Sequence, residues 1–245
     1  MFRRALMSMV ALFATVGLAH GAETSVAVAA NFTAPAQEIA ARFQAETGDT
    51  VKLSFASSGQ ILTEISNGAP YDIFLSADID HAQKAEQAGL TVPGSRFTYA
   101  TGHLVLWSEN PSLVDVQGKI LKQGNFSHIS IADPKLAPYG LAAVQFLRGQ
   151  GLWTAISPKV VTGKSIAQAY EFVKSGNADL GFVALSQVIG KREGSEWLVP
   201  DALHAPIIQQ AVLLKPGAGN PAATEFFEFL KKPEAQAIIL EYGYN

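Results

Sequence analysis

Short apolar runs recur along this chain, and most are followed by about ten to fifteen residues with helical spacing. That alternation constrains the fold more than any other feature, because parallel strands need long crossovers, usually helices, to join them. SVAVAA (25–30) predicts a strand, with a helix from about Thr33 to Thr47 that puts Ile39 and Phe43 on one face and closes at Gly48. VKLSFA (51–56) predicts a second strand, followed by a helix from Ser58 to about Asn67. Asp72 to Leu75 reads as a buried strand before a helix from Ile79 to about Ala88. Further strands fall at 103–107, 128–132, 159–162, 179–184 and 205–214. Helices follow Pro138-Tyr139-Gly140 and Ser165, and Ala222 to Tyr242 is largely helical. The pattern predicts an α/β fold with mainly parallel sheets.

Two of these strands end in a polar residue where a helix begins, at Asn31 and at Ser57-Ser58. A helix start carries unpaired backbone N–H groups and the positive end of the helix dipole. Two such starts facing one cleft make a site for a small anion without a charged side chain. Read singly, Asn31, Ser57 and Ser58 also fit ordinary helix caps.

Residues 1–21 read as a secretory signal: Arg3 and Arg4, an apolar run from Ala5 to Ala19, and small residues at Ala19 and Gly21. Its removal leaves about 224 residues and, with two arginines and no acid lost, shifts the formal charge from −3 to −5. The sequence has no cysteine, so neither a lipid anchor on cysteine nor a disulfide is available. A soluble periplasmic protein held together by its core is the expectation. An acidic surface gives no long-range attraction to anions or nucleic acid, and no basic stripe interleaved with aromatics occurs. No flexible linker or internal repeat is visible, yet the length exceeds one modal domain. Two lobes joined by crossing strands reconcile these facts: 22–100 with 206–245 as lobe 1, and 101–205 as lobe 2, with the ligand cleft between them.

Other chemistries find less support. No G-x-S-x-G, H-E-x-x-H or cysteine nucleophile is present, so no enzyme is expected. His81, His103, His128 and His204 lack metal-ligand spacing. Asp72, Asp78 and Asp80 read as strand-end and cap acids. Gly163-Lys164-Ser165 resembles the end of a phosphate loop, but Pro158 stands where its first glycine belongs, which leaves only a helix start. Arg96, Arg148 and Arg192 lie away from the expected helix starts, which counts against an organic-acid site.

The segments AAN followed by FT (29–33), SFASSG (54–59), GAPYDIFLSAD (68–78), ADP with PYG four residues on (132–140), and LGFV (180–183) resemble the periplasmic molybdate-binding proteins of ABC transporters. The resemblance covers essentially the whole chain after the signal. It implies a two-lobed Venus-flytrap fold holding molybdate, and often tungstate, for delivery to an inner-membrane permease, with sulfate as the alternative ligand. The protein is then expected to be a monomer without cofactor, the metal held only through the oxygens of its oxyanion. Matched position by position, the resemblance implies contacts from Asn31 through its amide, Ser58 through hydroxyl and N–H, and Tyr139 and Ile166 through backbone N–H. A tyrosine that supplies a hydroxyl in some members aligns with Ala184, and Tyr139 stands where those members have alanine. Either the tyrosine has moved across the site or the hydroxyl is absent.

Overall fold

The computed structural model describes residues 21–191 and 193–245. All of the expected signal segment except Gly21, and the expectation for Arg192, lie outside the described residues. The elements run β1 (Glu23–Ala29), a 3₁₀ turn (Ala30–Phe32), α1 (Thr33–Thr47), β2 (Thr50–Ala56), α2 (Ser58–Ser66), β3 (Ile73–Ser76), α3 (Ile79–Gln87), β4 (Phe97–Gly102) and β5 (Leu104–Ser108). They continue with α4 (Ile120–Gln123), β6 (Ile129–Ala132), α5 (Pro138–Gly149), α6 (Trp153–Ile156), β7 (Val160–Gly163), α7 (Ile166–Lys174), β8 (Leu180–Ala184) and α8 (Leu185–Val188). The chain ends with β9 (Ser195–Leu198), β10 (Ile207–Leu213), α9 (Pro221–Phe229) and α10 (Pro233–Glu241).

Ten strands form two five-stranded sheets, ordered β2-β1-β3-β10-β4 and β7-β6-β8-β5-β9. In each, three strands run parallel, and a fourth enters antiparallel and pairs with an antiparallel edge. The two orders are the same topology: β1 corresponds to β6, β2 to β7, β3 to β8, β10 to β5 and β4 to β9. The α/β architecture is the one expected, with a parallel core in each of two mixed sheets.

The inner strands read as continuous apolar runs because helices cover both faces of each sheet. Val26 and Val28 of β1 face a core with Phe32, Phe43, Phe226 and Phe229, whereas Ala27 between them faces Ile61, Phe74 and Ala82 on the other side. In β5, Leu106 packs with Phe146 and Phe182, while Trp107 turns to Tyr170 and Val183. Phe43 meets Phe226 and Phe229 edge to face at centroid distances of 5.2 and 5.4 Å.

Several details depart from the sequence expectations. The short helices α4, α6 and α8 and the strand β4 are not among the expected elements; the FTYATG pattern of β4 is partly polar, and pairing with β10 makes it a strand. β9 went unpredicted: its SEWL pattern is short and half exposed, and only pairing with β5 makes it a strand. The C-terminal helical stretch breaks at Leu230–Lys232, where Pro233 cannot donate to the preceding turn and starts a new helix at its first position.

β4 leads into β5 through the single residue His103, so the chain passes directly from one sheet to the other. It returns along 199–206, from β9 to β10. Asn245 pairs with Thr101 of β4 through both its N–H and its carbonyl, at 3.0 and 2.7 Å.

Candidate functional site

Four helix starts meet between the sheets, and they occupy equivalent positions. The 3₁₀ turn and α2 follow β1 and β2 of the first sheet; α5 and α7 follow β6 and β7 of the second. They border one small pocket, lined by Asn31, Ser57, Ser58, Tyr139 and Ile166 together with four alanines and one proline. The four residues expected from sequence are thus brought together. Among the described residues, no charged side chain lines the pocket.

Backbone accounting shows what the pocket offers. The N–H groups of Asn31, Ser58, Tyr139 and Ile166 meet no carbonyl acceptor among the described residues. These are the orphan donors of helix starts, all on one small volume. Ser58 adds a hydroxyl whose orientation is fixed. Its Oγ accepts from the Ala77 N–H at 2.9 Å, so its own hydrogen remains to be donated elsewhere. Such a set is rich in donors, as an unprotonated oxyanion requires.

Asn31 behaves otherwise than expected. Both hydrogens of its amide are committed inside the protein, Nδ2 donating to Gln209 Oε1 at 2.8 Å and to the Tyr244 hydroxyl at 3.0 Å. Its carbonyl accepts from Ser186 Oγ and from the Tyr244 hydroxyl, both at 2.8 Å. Among the described residues, what Asn31 leaves unpaired is its backbone N–H, a donor, and its side-chain Oδ1, an acceptor.

The Tyr139 hydroxyl also has another task. It points to Gly102 at the crossing from β4 to β5, where a Cβ would collide with it, and it accepts from Gln209 Nε2 at 3.4 Å. Of the two readings left open, the geometry favours the absent hydroxyl over a tyrosine moved across the site: the phenol at position 139 has joined the crossing strands. Ala184 is fully buried at the end of β8 and does not line the pocket.

Behind the pocket lies a buried polar network that joins the sheets: Asn31, Tyr99, Gln209 and Tyr244 from the first side, Tyr139 and Ser186 from the second. Gln209 Oε1 accepts from both Asn31 and the Tyr99 hydroxyl, the latter at 2.9 Å. Burial pushes the Tyr244 phenol up to about 12, and it raises those of Tyr99 and Tyr139 well above the ordinary 10.0. All three stay protonated near neutral pH; Tyr99 and Tyr244 donate within the network, and the Tyr139 hydroxyl accepts from Gln209. Sequence reasoning missed Gln209 and Tyr244. The one available signal was a pair of glutamines inside the apolar run APIIQQAVLL.

The two sides also touch at the rim. The Gly59 N–H donates to the Leu136 carbonyl at 2.9 Å, and a Cβ on Gly59 would lie 3.0 Å from Leu136 Cα and 3.1 Å from its oxygen. Only glycine admits this approach without displacement. Asp78 caps α3 by accepting from the His81 N–H, and its carboxylate holds His81 Nδ1 at 2.7 Å. Ser165 caps α7 at 3.3 Å, which is the role left to the segment resembling a phosphate loop.

Comparison with known proteins agrees with this geometry. The family model of bacterial extracellular solute-binding proteins matches residues 24–245. The molybdate-binding protein ModA of Rhodobacter capsulatus is 54% identical over 237 residues, covering 96% of this chain and 94% of the relative. ModA of Azotobacter vinelandii is also 54% identical, over 93% of this chain and 91% of the relative. The solved structure of the Azotobacter vinelandii periplasmic molybdate-binding protein superposes with a TM-score of 0.87 at 45% identity, covering 91% of this chain and 98% of the other. This is a family of solute-binding transport proteins rather than enzymes. The chain belongs to the bacterial extracellular solute-binding proteins, and within them to the molybdate-binding family.

Proposed function

We propose that this protein captures molybdate, and with it tungstate, in the periplasm and delivers it as a monomer to an inner-membrane ABC permease. The observation that carries the reading is the convergence of four unpaired backbone N–H groups and the Ser58 hydroxyl on one uncharged pocket. Asn31, Ser58, Tyr139 and Ile166 are the proposed contacts, Asn31 through its N–H rather than its amide. Hydrogen bonds to a charged group contribute about 1.5–3 kcal/mol each before ordering costs. About five of them suffice for micromolar affinity, on the order of 8 kcal/mol.

Molybdate suits such a site because at neutral pH it is a dianion with no proton to place. Phosphate is partly protonated, and its buried O–H without an acceptor would cost roughly 1–3 kcal/mol. Sulfate has molybdate's charge and shape, and identity of 54% to two molybdate-binding relatives supports molybdate over it.

The lobes of the proposed mechanism are 22–100 with 206–245, and 101–205. The first supplies three of the five donors and the second two, so only a closed arrangement satisfies all of them, and ligand shifts the population toward closure. The permease then reads the closed surface. Thermal melting of oxyanion-free protein tests the ligand. At a thousandfold excess over the dissociation constant, molybdate and tungstate should each add about 4 kcal/mol of stability, and sulfate and phosphate much less. An equal shift with sulfate, or none with any of the four, would overturn the assignment.

A further inference from the structure

The serine next to Ser58 carries chemistry that the fold does not use. Ser57 is the N-cap residue of α2, with an extended backbone (φ −71°, ψ 152°), and it is only 3% exposed. Its hydroxyl makes no hydrogen bond: it does not cap the helix, and no other group reaches it among the described residues. An N-cap serine ordinarily accepts from the second or third N–H of its helix. In α2 the second of these, on Gly59, is already given to the Leu136 carbonyl on the other side of the cleft. Ser165 shows the ordinary case at the equivalent position of the second sheet, where its side chain accepts from the Gln168 N–H.

A buried hydroxyl without a partner weakens the fold, so its presence here calls for a partner that is not protein. Ser57 lines the same pocket as Ser58, Tyr139 and Ile166. We infer that Ser57 is a further ligand of the oxyanion site, its hydroxyl donating to an oxygen of the bound dianion. The inference rests on reading that pocket as the oxyanion site. It also separates the roles of the paired serines. Ser58 is tied to Ala77 and keeps one orientation, whereas the Ser57 hydroxyl is free to turn toward whichever oxygen the ligand presents.

The test is calorimetric titration of the mature protein with molybdate, set beside melting of the ligand-free form, for Ser57→Ala, Ser57→Thr and Ser58→Ala. The expected result for Ser57→Ala is molybdate binding about tenfold weaker, the loss of one hydrogen bond to a charged group. Its ligand-free melting temperature should be unchanged or raised, because no protein hydrogen bond is lost. Ser57→Thr, which keeps the hydroxyl, should recover affinity. Wild-type affinity in Ser57→Ala with weakened binding in Ser58→Ala would overturn this inference and leave the site reading standing. Wild-type affinity in both alanine variants would overturn the site reading itself. A lowered ligand-free melting temperature with unchanged affinity would mark Ser57 as structural and overturn the inference as well.

Discussion

In the first sheet, the helices after β1 and β2 bring Asn31, Ser57 and Ser58 to the pocket; in the second, the helices after β6 and β7 bring Tyr139 and Ile166 from the same topological positions. The first side offers hydroxyls as well as backbone. The second offers N–H groups alone, its side chains turned into the crossing strands or the core: Tyr139 reaches Gln209, and Ile166 packs among the apolar residues of the second sheet. One strand order repeated twice has thus produced two unlike half-sites. The difference teaches that topology sets where donors converge, while residue identity sets whether a donor can be removed by trimming a side chain.

The most severe way to break this comparison is to take one donor from each half. Ser58→Ala deletes a hydroxyl from the first. Ile166→Pro deletes an N–H from the second at the first helical position, where proline is tolerated. The preceding Ser165 already has the extended backbone proline asks for (φ −144°, ψ 169°). Together they should weaken molybdate binding by roughly 3–6 kcal/mol, each by about half of that, as read by calorimetric titration. Wild-type affinity in Ile166→Pro would remove the second half from the site.

A smaller effect should come from the phenols that join the halves. The Tyr244 phenol is raised in the folded state to about 12 by burial, against an ordinary value near 10 in the unfolded chain. Its contribution to stability is complete below about pH 10 and is lost as pH rises through about 12, a decline of up to about 2–3 kcal/mol. Urea unfolding at pH 9 and pH 11 should show the loss, and Tyr244→Phe should reduce it. A pH-independent stability over that range would show that the network does not hold its protons as described.

The smallest effect sharpens the comparison of cap serines. Ser165→Ala removes a working N-cap and should cost about 1 kcal/mol, a fall in melting temperature of about 2–4 °C. Ser57→Ala should show no such fall. Equal falls in the two variants would erase the distinction between them.

The fold was legible wherever a run was apolar on both faces, as in SVAVAA and DLGFVA, because a strand covered by helices leaves few polar positions. It was illegible at β9, whose Glu196 and Leu198 are exposed and whose identity depends on β5. Asn31, Ser58, Tyr139 and Ile166 stood out through motif and helix start, both local signals. Their surroundings did not. Tyr244 meets Asn31 across 213 positions and Gln209 meets it across 178, so only tertiary pairing shows that the Asn31 amide is spent. Ser57 was hidden for the opposite reason: a serine before a helix reads as a cap, and nothing local reports that its cap bond goes unmade.

The lack of any charged group around the pocket has a consequence outside it. A dianion held by neutral donors keeps its charge, and the protein matrix screens that charge less than water does. Occupancy on the proposed reading therefore alters the electric field of the carrier along with its shape, taking a chain of formal charge −5 after signal removal to −7. The two forms become different ions, separable on an anion exchanger by the later elution of the loaded one. A receiving surface of positive potential could weigh cargo by attraction before it touches the cleft.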